Sequence, residues 1–450
     1  MSTKLDTAEQ TCQEKKITVF QKSIDSYIKQ INSLIDTMPI IINVLASNAV
    51  MHIEKLKAFC NDNNLDKLKD DETTRITFEL YRCYEQLNLN TDKALEAVTL
   101  YPCNFVVSLV SLYDAYLGNI IKDIYRTTPE QLKDCNREFS INEILSFESI
   151  EEAKERAIEK EAETVIRSGH GEQLDWLKRK LKCSFKDFKS YNDFIEITER
   201  RNLFVHTNGV VSRQYLAVCE ENGVKGLENI KVGDRLLADP DYVLKCYNIL
   251  FEVGVSLGIV VWRKLKKNDE QADFYLNNVC YELIKQERYE LAKIMLNFAT
   301  ETIKNAATEE VRRMFIINKA LSYYLSGDKT ACITILDKED WTATASKFQL
   351  AVSVLKEDYE AAGRYMESAK SDVNNIAYCE WPLFKNFRES EIFRSEYLKI
   401  FGENFQIKEH HKENVDEILQ FAIDIRAKAN EMENKADSDA FCNENVKLAN

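Results

Sequence analysis

Apolar residues recur along this chain at steps of three and four, the spacing of one helical face. After Ile17 the stretch FQKSIDSYIKQINSLIDTM puts Phe20, Ile24, Ile28, Ile31 and Ile35 on such a face. A second helix is expected from Pro39, a favoured first-turn residue, to about Phe59, and a third from Thr73 to Leu87. FVVSLVSLYDAYLGNIIKDIY (105–125) then opens a four-helix unit. SFESIEEAKERAIEKEAETVIRSG (146–169) follows as a solvated helix with Ser146 at its N-cap, its face covered with charges of both signs. A basic stretch, WLKRKLKCSFKDFKSY (176–191), leads into a helix bearing ERRNLFVH (199–206). The unit closes with DYVLKCYNILFEVGVSLGIVVWRKLKK (241–267), apolar enough to lie inside a bundle or against a second subunit.

After about residue 271 the pattern becomes one of recurring helix pairs. Leu276, Val279 and Leu283 on a first helix are followed by Tyr289, Ala292, Leu296 and Ala299 on a second. Ile316, Ala320, Tyr323, Gly327 and Leu336 repeat the arrangement, and 350–369 holds a looser copy. The spacing resembles tetratricopeptide repeats, in which small residues let two helices approach and large ones fill the gap to the next pair. The aromatic run WPLFKNFRESEIFRSEYLKIFGENF (381–405) is expected to cap the stack. The resulting expectation is an all-α chain in four parts: an N-terminal helical extension (1–98), a helical bundle (99–267), helical repeats with a cap (268–405), and a C-terminal helix with a polar tail (406–450). Residues 1–15 are expected to be disordered.

Composition supports the all-helical reading. Only 12 Gly and 5 Pro occur in 450 residues, too few breakers for sandwiches, barrels or Gly-rich nucleotide folds. The 12 cysteines are scattered singly and suit a reducing compartment, with no CxxC pair and no Cys/His group of zinc type. The polar start MSTKLDTAEQTCQEKK lacks a signal-peptide core, and the 246–265 stretch carries Asn248 and Glu252, so a cytoplasmic protein without a membrane span is expected. A net charge of −14 opposes a lasting coat on nucleic acid but permits a local basic site.

One stretch carries candidate chemistry. Steps of three and four place Glu199, Asn202 and His206 on one polar strip of a helix. Ile197, Arg201, Phe204 and Val205 form a second strip, in which Arg201 stands alone among apolar residues and needs a partner or a wet cleft. RNLFVH, followed by TNGVVSRQYL, resembles the Arg-polar-xxx-His signature of the HEPN superfamily (higher eukaryotes and prokaryotes nucleotide-binding domains). Arg201, Asn202 and His206 fill its three positions. The resemblance covers about 99–267. It implies a HEPN-like four-helix bundle, a metal-independent endoribonuclease needing no cofactor, a site formed across a homodimer, and a toxin or anti-phage role, often on tRNA. Some members of the superfamily have lost catalysis and only bind.

The residue types suit that chemistry. RNA is cut without a metal when its 2′-hydroxyl attacks the adjacent phosphorus, leaving a 2′,3′-cyclic phosphate and a 5′-hydroxyl. The step needs a base, an acid and a cation for the phosphorane charge. Histidine transfers protons near neutral pH, and arginine offers a planar fork for phosphate oxygens. Asn202 would orient His206 or the phosphate, and Glu199 would hold Asn202 or Arg201. One histidine cannot be acid and base at once, which favours two copies of His206 facing one cleft, with the 241–262 helix as a candidate interface. Lys178, Arg179, Lys180, Lys182 and Arg200 are candidate RNA-backbone contacts, with Lys186 and Lys189 beside them; the plain alternative is a solvated face. Trp176, Phe185, Phe188 and Tyr191 read as core more readily than as base-stacking platforms. His170, between glycines, reads as a loop tip more readily than as a second catalytic residue, and His410 and His411 lack metal-ligand spacing. The competing function is a non-catalytic dimeric interaction or nucleotide-binding protein working through its repeats and a protein partner. An accidental motif, in turn, predicts Arg201 salt-bridged within its own chain.

Overall fold

The structure, a computed structural model, describes residues 18–63, 65, 77–135, 138–182, 188–267, 269–303 and 305–406. It is all-α: among the described residues the only β feature is an isolated bridge between Val210 and Arg235. The chain divides into two compact units, which meet in sequence at Glu357 and Asp358. The first contains α1 (Val19–Asp62), α2 (Phe78–Thr127), α3 (Ile141–Ser146), α4 (Ile150–Ile166), α5 (His170–Leu181), α6 (Tyr191–Thr207), α7 (Arg213–Glu221) and α8 (Pro240–Leu265). It continues with α9 (Gln271–Lys285), α10 (Tyr289–Asn297), α11 (Glu309–Leu325), α12 (Lys329–Leu336) and α13 (Ser346–Leu355). The second unit contains α14 (Tyr359–Ser368), α15 (Asn375–Glu380) and α16 (Glu391–Phe401).

The helix expected to start at Pro39 does not exist separately, because Pro39 lies inside the 44-residue α1. A proline inside a helix removes one backbone hydrogen bond. Here the buried positions Ile31, Ile35 and Met38 continue past it to Ala49, so packing along one face carries the helix through. The helices expected at 73–87 and 105–125 are likewise one 50-residue element, α2, which runs through Pro102. The boundary drawn at 98/99 therefore falls within a helix. α1 and α2 form a long antiparallel hairpin in constant register. The Tyr27 ring stacks on Tyr116 at 4.4 Å, and 25 residues further on the Thr91 hydroxyl donates to the His52 carbonyl at 3.3 Å. Ser146 ends α3, and the N-cap of α4 is Ser149, whose hydroxyl accepts from the Glu152 N–H at 3.1 Å.

α8 is the central helix of the first unit and packs on α1, α2 and α6. Although Leu244 is exposed, most of the helix's apolar positions, from Val243 to Trp262, are covered by the chain's own helices. Two glycines permit this. A Cβ on Gly254 would stand 2.4 Å from the Tyr27 ring, and one on Gly258 would stand 2.2 Å from the Tyr116 hydroxyl. Those same tyrosines donate to α8 carbonyls, Tyr27 to Leu250 at 2.8 Å and Tyr116 to Gly254 at 3.0 Å, so burial leaves neither hydroxyl unpaired. α1, α2 and α8 all contain windows long and apolar enough to cross a membrane, but only the α8 window is mostly buried, at 78% against 17% in α1.

Beyond α8, α9 packs on α10, α11 packs on both, and α12 folds back on α11. The helix pairs share one turn design. Glu287, Gly327 and Glu357 each take a left-handed conformation (φ 60°, 93° and 59°) just after a helix end. Asp328 then caps α12 by accepting from the Ala331 N–H at 2.9 Å, and Asp358 caps α14 by accepting from Ala361 at 3.0 Å. Within the second unit, the aromatics expected to cap the stack pack on one another: Tyr378 lies against Phe384, Phe393, Tyr397 and Phe401. The 1–15 segment, Phe185, Lys186, His410, His411 and the C-terminal helix and tail beyond Gln406 lie outside the described residues.

Candidate functional site

α6 carries the signature. Phe194, Ile195, Ile197, Thr198 and Leu203 are buried and fix its inward face. Its end is closed by Asn208 in a left-handed conformation (φ 52°) and by the Gly209 N–H, which donates to the Leu203 carbonyl at 3.0 Å. Gly209 is also left-handed (φ 81°), and a Cβ there would meet the Leu236 carbonyl oxygen at 2.4 Å. The break just after the histidine thus depends on the Asn-Gly pair. Leu203, Val211, Tyr215 and Cys219 form a small core that holds α7 and the following loop against the end of α6.

Arg200 is largely buried and paired within the fold. Its Nε donates to Glu196 Oε1 at 2.6 Å, and its guanidinium lies 4.2 Å from the centre of the Tyr242 ring. Glu196 is buried and also accepts from Tyr215 and Tyr242, both at 2.8 Å. Four side chains on α6, α7 and α8 thereby meet around one buried carboxylate.

Arg201 is placed differently. Its Nη1 donates to Asn202 Oδ1 at 3.1 Å and its Nη2 to Asp114 Oδ2, on α2, at 3.4 Å. Its Nε is buried with no partner, while its side chain remains 22% exposed. The fork therefore keeps donors in reserve. Asn202 in turn donates to Glu199 Oε1 at 3.4 Å. Burial pushes the Glu199 carboxyl above its ordinary pKa, against the opposing pull of His170 and of the Asn202 hydrogen bond. Arg201, Asn202 and Glu199 thus form one connected group. His206 lies apart from them, exposed on the last turn of α6 and without a hydrogen bond or ion pair among the described residues. Five helical residues separate two side chains by ~140° around the axis and ~7.5 Å along it, so Arg201 and His206 do not converge within one chain by helix geometry alone.

His170 is not a loop tip. It is the first residue of α5 and is buried, with its Nε2 2.9 Å from Asp114 Oδ1 and its ring packed near Tyr113 and Phe194. Asp114 consequently links His170 to Arg201, and it was not picked out by sequence reasoning. A signal for Asp114 was present: it shares a helical stripe with the apolar Val110, Leu117 and Ile121, where a carboxylate needs a counter-charge.

The basic residues sit elsewhere. Lys178 and Arg179 are exposed in the last turn of α5, and Lys182 is its left-handed cap (φ 53°). Lys180 places its ammonium 5.1 Å from the centre of the Tyr125 ring and 5.9 Å from that of Trp176. Positive charge at a helix C-terminus is favourable in itself. Lys178 is ~12 Å along α5 from His170, and Tyr125 ~16 Å along α2 from Asp114, so the patch is well separated from the Arg201 group along both helices. Arg179 and Trp176 line a cleft of about 340 Å³ together with the acidic Glu161, Glu172 and Asp175. Lys189 pairs with Glu301 at 3.5 Å, and Phe188 packs edge-on against Phe298.

Chemically, α6 offers a partly open guanidinium held by Asp114 and Asn202 and, beyond it, an accessible imidazole. The group suits an anion at Arg201 better than a cation. No group of three or more His, Cys, Asp or Glu with metal-binding geometry occurs among the described residues. The chain matches no known protein family, no curated protein and no solved structure.

Proposed function

We propose that the chain is a metal-independent endoribonuclease of HEPN type, cutting RNA by attack of the 2′-hydroxyl to leave 2′,3′-cyclic phosphate and 5′-hydroxyl ends. The observation that carries the reading is Arg201: a guanidinium oriented by Asp114 and Asn202 that still has unused donors and access to solvent. In this reading Arg201 binds the phosphate and stabilises its developing charge. His206 moves the proton, Asn202 and Glu199 orient, and Lys178, Arg179, Lys180 and Lys182 guide a more distant part of the strand. Two chains supply the two imidazoles that acid and base require. The paired helices from α9 onward act as a tetratricopeptide-like surface for a protein partner that regulates a cytoplasmic toxin or anti-phage effector, with tRNA as a candidate target.

The test compares the full chain with Arg201→Ala and His206→Ala on total cellular RNA in EDTA. Discrete products with cyclic phosphate ends from the wild type, lost in both folded variants, support the reading. Cleavage that survives both substitutions sinks it. One observation favours a second reading, a non-catalytic chain that works through its helical repeats and carries the motif by accident: Arg201 is salt-bridged within its own chain, to Asp114. RNA left intact by a folded, dimeric wild type supports that alternative.

A further inference from the structure

α1 has a second apolar seam that no helix among the described residues covers. Met38 and Ala49 are buried on its inward side. On the outward side Ile40 and Val44 are 65% and 63% exposed, and Met51 is 40% exposed. With the exposed Ser47 these residues are spaced four, three and four apart, the repeat of a coiled-coil seam. A helix apolar on two opposite sides is normally covered on both. From Thr37 to Ile53 the helix carries no charged residue, in a chain whose net charge is −14.

We infer that this seam pairs with the same seam of a second copy of the chain, antiparallel, about a two-fold axis passing between Val44 and Ser47. Charge selects this occupant and this direction. Two strongly acidic copies repel each other, and a face free of charge is where they can meet. In the antiparallel register Ile40 meets the partner subunit's Met51, and Val44 meets the partner subunit's Ser47. Further out, the exposed Lys29 faces the partner subunit's Asp62, and Asp36 faces the partner subunit's Lys55. All four of these charges lie at the ends of the same stripe. A parallel pairing would instead oppose like charges. Asp36 is also bound by Arg288, which fixes it at the seam's edge. The seam from Lys29 to Asp62 is ~50 Å long on a helix ~10 Å across, which with side-chain relief approaches the ~800 Å² per partner of a standard interface. A bilayer is the poorer occupant, because Asn43 and Asn48 flank the stripe, exposed, and would lose water without gaining partners.

The pairing does not depend on the nuclease reading. The full chain is examined by sedimentation velocity and light scattering, beside Val44→Glu, Lys29→Asp and the double variant Lys29→Asp/Asp62→Lys, with circular dichroism to check the fold. The wild type is expected to be at least dimeric. Val44→Glu is expected to halve the mass of the assembly and weaken it by ~100-fold or more. Lys29→Asp is expected to weaken it by ~5-fold, and the double variant to recover it. A monomeric wild type at ~50 µM, an unchanged mass for folded Val44→Glu, or a double variant no better than Lys29→Asp overturns the inference. Flotation of the wild type with phosphatidylcholine vesicles, lost in Val44→Glu, overturns it as well. A dimer through this seam that leaves RNA intact ends the nuclease reading alone, an active dimer whose mass Val44→Glu leaves unchanged ends the pairing alone, and an active monomer ends the pairing together with the two-chain site of the nuclease reading.

Discussion

Arg200 and Arg201 are neighbours on one helix, yet their surroundings assign them different work. Arg200 meets a buried carboxylate at 2.6 Å, an aromatic face and, through Glu196, two tyrosine hydroxyls. Arg201 meets its carboxylate at 3.4 Å, shares it with His170, and leaves Nε without a partner. A cation tied by a short ion pair to a buried carboxylate and laid on an aromatic ring is part of the fold. A cation held by longer, partly exposed contacts still offers N–H groups on its outer nitrogens to a ligand.

The sharpest way to break this contrast is to remove Glu196. Glu196→Ala leaves Arg200 and two hydroxyls without their acceptor and is expected to cost ~3–5 kcal/mol, read by urea denaturation. Arg200→Ala should follow at ~2 kcal/mol, since it strands the buried carboxylate but leaves the tyrosines to solvate it. Per folded molecule, it should leave RNA cleavage unchanged. Arg201→Ala reverses the pattern: a loss of no more than ~1 kcal/mol in stability, because the pair is long and partly exposed, with cleavage falling by ~10²-fold or more. A large loss of stability with cleavage intact would erase the distinction between the two arginines.

The smallest effect is expected at Glu199 and comes with a pH signature. Its folded pKa is raised by burial, so ionising it opposes folding. The stability it contributes is fully present below the ordinary glutamate pKa and is lost as pH rises through the raised value. Glu199→Gln should therefore raise the melting temperature slightly at pH 7 and have little effect below about pH 4. A penalty at pH 7 would mean that the carboxylate is an essential acceptor for Asn202.

Much of this was legible in the chain. Scarcity of glycine and proline fixes the all-helical class, and helical spacing marks the faces that become buried, from Phe20 to Ile35 and from Leu276 to Ala299. Pro39 misled because its local preference for a first turn was given more weight than the continuing apolar face, which tertiary packing rewards. Arg201 and Asn202 could be singled out because an arginine on an apolar strip is conspicuous. Its partner could not be found in the same way, since Asp114 lies 87 residues away and only folding brings it near. His170 was misjudged because the glycines flanking it suggest a turn, whereas Gly169 precedes a helix whose first residue points inward. Arg200 reads as a solvent-facing cation in the sequence, since Tyr215 and Tyr242, which complete its buried Glu196 group, come from other helices.

The constant register of the α1–α2 hairpin has a consequence for how this protein can change its length. Between the stacked Tyr27 and Tyr116 and the Thr91–His52 bond, both arms contain the same number of residues. A single residue gained in one arm would turn everything beyond it by ~100° and move it ~1.5 Å along the axis, carrying the inward face out and the outward seam sideways. Two turns gained in both arms together would leave every face where it was. Drift in this hairpin is therefore quantised: substitutions accumulate singly, whereas viable changes of length come in matched blocks of about seven residues.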